Sequence, residues 1–295
     1  MNLRVTQSMM SRNMVKQIND SYRNLDRLQT QISTGKRINQ PSDDPYGVSR
    51  VLHYNTKIKE IETFQRNVTE ANNWLDMTDD AIMKSNELLI RAKELMVQGS
   101  QDSFGMKARE AIADELAQLK LNLGDIANTT YKGRYIFSGS DTDQAPFDGT
   151  NFTGANLDQR QLEVTQGSYL PINVAGKELF GYGGGLFTLI DQMVTDLRDP
   201  SKSGKDLTNY VTQLENQQDH FVAIQSTVGA RVNRIEQARD RLDLQLVSFN
   251  KYLSEVDGVD MAKAITELTS QENIHKAALS AGSRVIQQTL VDFIR

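Results

Sequence analysis

Prolines constrain this chain more than any other residue type, because their positions leave long tracts in which nothing interrupts a helix. The five prolines of the 295-residue sequence leave residues 1–40, 46–145 and 201–295 free of proline. Proline has no backbone N–H and its ring clashes with the preceding helical turn, so it is excluded from helix interiors. The three tracts therefore permit long helices, and the pattern of apolar residues decides whether helices are expected.

Two of these tracts carry apolar residues at seven-residue intervals. One such row extends from Tyr54 to Met96, and the other extends from Leu207 to Val256. A heptad repeat is the period of helices that pack in coiled coils. Each predicted helix is about 50 residues long, which corresponds to ~75 Å at the rise of an α-helix. Two helices of equal length that lie far apart in sequence predict an antiparallel pair.

Glycines concentrate in a region between the two helical arms. Nine of the 19 glycines lie between Gly139 and Gly185. Residues 147–152 carry an Asp-Gly turn signal between two phenylalanines. Residues 162–165 and 169–174 alternate apolar and polar side chains as strands do. This region is predicted to form a small β insertion.

We therefore predict a mainly α fold, in the form of an elongated antiparallel coiled-coil helical bundle with a small β-rich insertion domain. Shorter helices are expected at 107–130 and 186–198, packed beside the long pair. The predicted helical rod domain comprises residues 46–140 and 186–256. The predicted β-rich insertion domain comprises residues 141–185. The terminal helices and a connecting spoke comprise residues 1–45 and 257–295.

Both ends of the chain carry apolar residues at three- and four-residue spacing that the matched arms cannot bury. These predicted interface residues are Met14, Ile18, Leu25, Leu28, Ile32, Leu268, Leu279, Ile286 and Phe293. Either the two ends pair only with each other or they dock on neighbouring subunits. A lone pair of such helices buries little apolar surface and is marginal in water. We expect the terminal helices to be disordered in the monomer and folded in an assembly.

The composition argues against several classes of protein. The chain has no cysteine, which excludes disulfides, thiolate catalysis and metal sites that need sulfur. Its net charge of -5 argues against nucleic-acid binding. No apolar run approaches the roughly 18 residues of a membrane span, so membrane insertion is not expected. The first residues lack the apolar region of a secretory signal peptide, so any export is expected to use another route.

The residue patterns give no candidate for catalysis, metal binding or a cofactor. The three histidines are scattered without a metal-ligand spacing, and no Ser/His/Asp set is recognisable. Ser42-Asp43-Asp44 resembles a fragment of a calcium loop but lacks the glycine and glutamate that would complete it. Asp43 and Asp44 are better interpreted as acidic residues at the positive end of the helix that follows. We therefore expect no enzymatic activity and no cofactor.

The stretch from Leu28 to Gly47 resembles the N-terminal signature of the bacterial flagellin family, which is approximately L-x-x-L-S-T-G-x-R-I-N-x-x-x-D-D-x-x-G. Residues 94–98 are similar to the Arg-Glu-Leu-Ala-Val-Gln helix of that family, and residues 260–264 are similar to its Asp-Met-Ala-x-Ala element. The residues that match the signature are Gly35, Arg37, Ile38, Asn39, Asp43, Asp44 and Gly47.

Within this family the chain is most similar to members at the junction between hook and filament. The run from Gly133 to Phe147 resembles their Y-x-F-S-G-x-x-T-x-x-x-P-F element, and the opening Met-x-x-R-V-T-Q also resembles theirs. Pro45-Tyr46 stands where flagellins often carry small residues. This departure fits the junction interpretation better than the filament one.

The resemblance implies a structural subunit of the bacterial flagellum, whose terminal helices join the hook-side junction protein to the flagellin filament. The implied partners are another hook-associated junction protein, flagellin, further copies of the chain in a ring, and a flagellar export chaperone. The implied location is extracellular, after type III export without a cleaved signal peptide. A filament-forming flagellin is the alternative within the family. A free coiled-coil adhesin or scaffold is the alternative from another class.

Overall fold

The computed structural model of the chain describes residues 7–101, 105–154 and 156–291. Long helices dominate these ranges, and two short antiparallel strand pairs lie between them. The helices are α1 (Gln7–Thr34), α2 (Pro45–Gly99), α3 (Met106–Ala127), α4 (Gly176–Phe180), α5 (Leu186–Arg198), α6 (Gly204–Asp257) and α7 (Met261–Val291). The strands are β1 (Thr130–Tyr131), β2 (Arg134–Tyr135), β3 (Gln161–Thr165) and β4 (Ser168–Pro171). The predicted mainly α fold with a small β region is confirmed.

The chain forms two compact units. The first unit comprises Met1–Glu60 with Leu246–Arg295, and the second comprises Ile61–Gln245. Helices α2 and α6 contribute residues to both units. The finer division into rod, insertion and terminal domains stays a prediction.

In the second unit, α2 and α6 run antiparallel. The side-chain amide of Gln65 donates a hydrogen bond to Oδ1 of Asp243 at 2.6 Å. Further along α2, Nζ of Lys93 lies 3.8 Å from Oε1 of Glu215. The contacted residue numbers fall along α6 as they rise along α2, which is the signature of antiparallel packing.

The predicted heptad rows form the core between these two helices. On α2 the residues at seven-residue intervals are buried, and a second buried row consists of small residues that allow close approach. The buried residues of these rows are Val68, Leu75, Ile82, Leu89 and Met96, then Ala71, Thr78, Ser85 and Ala92, and on α6 Leu207, Leu214, Phe221, Val228, Ile235 and Leu242. The hydroxyls of Thr78 and Ser85 donate to the carbonyls of Trp74 and Ala81, so these polar groups are satisfied inside the core.

Helices α3 and α5 complete the helical part of the second unit. Nζ of Lys120 on α3 lies 2.8 Å from both carboxylate oxygens of Asp191 on α5. Helix α5 has the predicted bounds of 186–198. Helix α3 ends at Ala127, before the predicted end at 130, because β1 begins at Thr130.

The β region packs against the same helices. Strands β3 and β4 pair as an antiparallel hairpin, and the predicted turn at 147–152 is confirmed by a bridge between Phe147 and Phe152. Gly149 has a φ of +95°, a backbone conformation that glycine adopts without strain. The hairpin is tied to α2 by the amide of Asn67, which donates to the carbonyl of Glu163 at 2.9 Å. None of the helices within the described ranges combines the length and apolarity needed to cross a membrane.

Replacing Leu75 by Asp should unfold the second unit, because it would bury an unpaired carboxylate in the seam between α2 and α6. We expect the free energy of unfolding to fall by about 4 kcal/mol or more. Urea titration followed by circular dichroism measures this change. Thr69→Asp, at an exposed position of the same helix, is the control. A similar loss in both variants would contradict the assignment of Leu75 to the core.

Candidate assembly interface

Helices α1 and α7 pack against each other as an antiparallel pair in the first unit. A Cβ placed on Gly282 would lie 3.4 Å from Cε of Met14 and 3.6 Å from Cδ1 of Ile18. The side-chain amide of Gln271 donates to Oγ of Ser21 at 3.2 Å. The sequence left open whether the two ends pair with each other or dock on neighbouring subunits, and in the structure they pair with each other. Ordering of these helices only on assembly stays a prediction.

This pairing covers the predicted interface residues to different degrees. Leu28 is buried, Leu279 is 48% exposed, and the other described members are half-buried, namely Met14, Ile18, Leu25, Ile32 and Leu268. Phe293 and the side chain of Ile286 lie outside the described part of the chain. The apolar rows are thus brought together along one seam without being fully buried by it.

An apolar groove lies at one side of the seam. Its volume is about 260 Å³, and its lining residues are Ser11, Met14, Val15, Ile18, Leu279, Gly282 and Ser283. The flanks are open, since Val15 is 52% exposed and Leu279 is 48% exposed. Gly282 keeps the floor low because it has no side chain. The groove can therefore accept an apolar side chain from another helix.

Exposed apolar residues continue along the same side of the pair. Tyr22 stands seven residues after Val15, and Ile265 stands fourteen residues before Leu279, so helical periodicity places each on the same face as its neighbour. Tyr22 is 65% exposed and Ile265 is 50% exposed. We call Val15, Tyr22, Ile265 and Leu279 the open face. A surface of this kind is typical of a contact with another molecule.

A polar layer interrupts the apolar seam of α1 and α7. Ser21 is buried, accepts the hydrogen bond from Gln271, and its Oγ lies 3.2 Å from Nδ1 of His275. The ring of Tyr22 lies 6.3 Å from that of His275. A polar contact within an apolar seam favours one helix register, because any shift would leave these groups unpaired. The apolar spacing of the two helices gives no sign of this layer.

The predicted signature residues lie in the segment 35–47, which we call the connector, between α1 and α2. Gly35 ends α1 with a φ of +68°, and its carbonyl accepts a hydrogen bond from the backbone N–H of Val259 at 3.3 Å. A glycine in this conformation is a common helix C-terminal signal. The chain then turns back against the end of α6.

Arg37 fixes the connector to the C-terminal end of α6. Its Nε and Nη2 donate to the carbonyl of Val256 at 3.2 and 2.9 Å, and its backbone N–H donates to the carbonyl of Asp257 at 2.6 Å. The backbone N–H of Ile38 donates to Oδ1 of Asp257 at 3.2 Å. A guanidinium at this position satisfies a carbonyl that the helix leaves unpaired and complements the negative end of its dipole. No local sequence pattern predicts Val256 and Asp257 as partners of the connector, because each lies 219 positions from the residue it contacts.

The two aspartates of the signature cap backbone groups on either side. Oδ2 of Asp43 accepts from the backbone N–H groups of Asn39 and Gln40 at 3.0 and 2.9 Å. Oδ1 of Asp44 accepts from the backbone N–H of Gly47 at 2.8 Å, at the start of α2. The interpretation of Asp44 as an acidic residue at the positive end of a helix is confirmed, whereas Asp43 caps the connector itself.

A second contact stabilises the ionised form of Asp44. The hydrogen bond from Gly47, followed by that from Arg37, lowers the pKa of Asp44 below its usual value. Nη2 of Arg37 lies 3.1 Å from Oδ2 of Asp44. The side-chain amide of Asn39 donates to the carbonyl of Lys36, which closes the preceding turn. The connector is therefore a hydrogen-bonded unit that holds the ends of α2 and α6 together.

The side chains of the connector are used for contacts within the first unit. Across residues 7–101, 105–154 and 156–291, no group of three or more His, Cys, Asp or Glu side chains is placed to hold a metal ion. Arg37, Asp43 and Asp44 each form a hydrogen bond with a backbone group of the same unit.

Replacing Gly47 by Ala should disrupt the connector. A Cβ at this position would lie 2.5 Å from both Oδ2 of Asp44 and Cδ1 of the buried Ile38, so both contacts must be relieved by a shift. We expect faster amide hydrogen exchange at residues 38–47, measured by mass spectrometry. Gly105→Ala is the control, because a Cβ there has no atom within 4 Å. Unchanged exchange in the Gly47 variant would show that the contact is not tight.

Two models of one protein family match this chain. The family model of the bacterial flagellin N-terminal helical region matches residues 5–142, and that of the bacterial flagellin C-terminal helical region matches residues 208–294. The first match contains the whole connector, and the second contains α7.

Individual relatives cover nearly the whole chain. This chain is 24% identical over 304 residues to flagellar hook-associated protein 3 of Escherichia coli (strain K12), with 94% of each chain covered. It is 25% identical over 280 residues to flagellin of Bacillus subtilis (strain 168), which covers 91% of this chain and 90% of that flagellin.

A solved structure shows the same fold. Flagellar hook-associated protein-3 from Legionella pneumophila superimposes with a TM-score of 0.64 at 17% sequence identity, covering 70% of this chain and 98% of that one. Since the two family models together span more than half of the residues, this chain belongs to the bacterial flagellin family.

Proposed function

We propose that this chain is a structural subunit of the bacterial flagellum that joins the hook-side junction protein to the flagellin filament through α1 and α7. The observation that carries the proposal is the open face of that helix pair in a chain of the flagellin family. An apolar groove flanked by exposed Val15 and Leu279 is unfavourable in water. Contact with the helices of neighbouring subunits would remove that cost.

We prefer the junction role to that of the filament subunit because a relative that covers almost the whole chain is a hook-associated protein. The Escherichia coli relative that covers 94% of this chain is a hook-associated protein. The run from Gly133 to Phe147, which resembles the junction proteins, contributes the buried residues Ile136, Phe137 and Phe147 to the second unit. It therefore forms part of the core of that unit.

A filament-forming flagellin is the second candidate. It is supported by the Bacillus subtilis flagellin, which is similar in extent and identity. A free coiled-coil adhesin or scaffold would have no need of the connector and open face that this family member carries. The two flagellar roles differ in abundance, because a filament subunit would be the main component of isolated filaments.

The proposed partners follow from the position at the junction. They are another hook-associated junction protein on the hook side, flagellin on the filament side, and further copies of the chain in a ring. Before export, a flagellar chaperone would cover the exposed apolar residues of α7, of which Ile265, Ile274 and Leu279 are each about half exposed. We propose export through the type III apparatus and an extracellular location at the hook–filament junction. The proposed role needs neither enzymatic activity nor a cofactor.

Deleting the encoding gene should leave cells with hooks that lack filaments, because the first flagellin subunits would have no layer on which to assemble. Electron microscopy shows the hooks, and immunoblotting of the culture medium shows the unassembled flagellin. A plasmid copy of the gene is the control and should restore the filaments. Filaments of normal number in the deletion strain would reject the junction role.

Replacing Leu279 by Asp tests whether the open face serves assembly or stability. The side chain is 48% exposed, so we expect the melting temperature of the purified chain to change by less than about 2 °C. The charge should abolish assembly, measured as restoration of filaments in the deletion strain. Ser280→Asp, the adjacent exposed position on another face of α7, should assemble normally. A large loss of monomer stability in the Leu279 variant would instead place this residue in the core.

A further inference from the structure

A second apolar row lies on the outside of α2 in the second unit. Ile90 and Val97 follow the buried Leu89 and Met96 by one residue each, which turns them away from the α6 seam. Ile90 is 43% exposed and Val97 is 44% exposed. Met83, one heptad earlier, is equally exposed at 44%. The core of the unit is already formed by the neighbouring row, so packing against α6 of the same chain does not account for this outer row.

Acidic residues accompany this outer row. Asp80 and Glu87 are exposed, stand seven residues apart, and precede Met83 and Ile90 by three residues each. On a helix, this spacing places each acidic side chain beside the apolar one on the same face. The outer surface of α2 therefore carries an apolar strip with Asp80 and Glu87 along one edge. The exposed Lys84 lies between these two acidic residues, and Arg91 on the same edge is paired with Glu94 and Glu115.

The outer surface of α6 has the opposite character. Ala223 and Ala230 are exposed and stand seven residues apart, and the exposed Arg234 and Arg241 repeat the same interval. Gly229 lies in the middle of this helix, and a Cβ built on it would meet no atom within 4 Å. Glycine in a helix interior costs about 1 kcal/mol relative to alanine, and no packing within the chain requires it here. The outer surface of α6 therefore has small side chains at Ala223 and Ala230, and the positively charged Arg234 and Arg241 follow them along the helix.

The two surfaces complement each other when they are aligned antiparallel. Val97 then lies opposite Ala223 and Ile90 opposite Ala230, so that a large side chain meets a small one at each step. The same alignment places Glu87 opposite Arg234 and Asp80 opposite Arg241. Within the apolar set and within the charged set, the pairs step by seven residues in opposite directions along the two helices. The charged set is offset from the apolar set by one residue, or ~1.5 Å of helix, so one register serves both sets to within that offset.

The electrostatic environment supports this alignment. Burial, followed by the charges of Asp80, Asp79 and Glu236, raises the pKa of Asp76. Negative charge is therefore concentrated on this part of the unit. A guanidinium from Arg241 of a second copy would reduce that repulsion.

We infer that the outer face of α2 in one copy of this chain packs antiparallel against the outer face of α6 in the next copy. The two faces cannot meet within one chain, because the inner rows of α2 and α6 already face each other. Copies that lie side by side in the same orientation present α6 antiparallel to α2, as the alignment requires. Such a contact joins different surfaces and repeats from copy to copy, which is the type that builds rings and helical assemblies. The inference rests on the proposed function, in which copies form a ring.

Cysteine crosslinking tests this contact, since the native chain has no cysteine. Cells that lack the native gene would produce two variants together, Ile90→Cys and Ala230→Cys, and would be oxidised intact. A disulfide requires Cα atoms within about 7 Å, so only residues that lie opposite each other can form one. We expect crosslinked dimers on non-reducing gels. The pair Val97→Cys with Ala223→Cys should give the same result.

The matched control combines Ile90→Cys with Ala223→Cys. These positions are out of register by one heptad, or ~10.5 Å of helix, which is too far for a disulfide. We expect the in-register pairs to give at least about fivefold more dimer than this control. Equal yields from all pairs, or no dimer from either in-register pair, would overturn the contact. If the deletion strain lacks filaments but the in-register pairs give no crosslink, the junction role stands and the contact is rejected. If the crosslinks form but the deletion strain has normal filaments, the contact stands and the junction role is rejected.

Discussion

The first unit depends on the pairing of helix ends by the connector. Helices α1 and α6 end, and α2 and α7 begin, within a short distance of residues 35–47 and 256–260, and each end leaves backbone groups that need partners. Arg37 satisfies the carbonyl of Val256, and Asp44 satisfies the N–H of Gly47. Without these contacts the four ends would expose unpaired groups to each other. The positions of the helices follow from this local hydrogen bonding.

The terminal pair is stabilised in a different way. Its seam combines the polar layer at Ser21 with apolar contacts such as those of Met14 and Ile18 around Gly282. The polar layer favours one register, while the apolar side chains are only half-buried. The register is thus specified within the chain, but much of the apolar surface of the pair stays exposed, as at Val15 and Leu279. This division fits the proposed contact with neighbouring subunits, for which the two helices would need to be aligned in advance.

Local periodicity was sufficient to predict the helical core. The heptad rows of α2 and α6, the turn at 147–152 and the helix at 186–198 all depend on neighbours in sequence, and the structure confirms them. The connector could not be predicted in the same way. Ile38 meets Asp257 across 219 positions, and no periodic pattern links them. The signature identified the residues of the connector, but only the folded chain shows that a side chain at Gly47 would collide with both Asp44 and Ile38.

The outer surfaces of α2 and α6 show how periodicity can also conceal information. The row that begins at Met83 has the same seven-residue interval as the buried row one position earlier, so a search for core residues assigns both to one broad stripe. Burial separates them, because Leu89 is fully enclosed while Ile90 is not. A helix that needs one apolar row for its own fold and carries a second row at the same interval has two directions of packing. The second direction points away from the chain, and α6 of the same chain carries the surface that matches it.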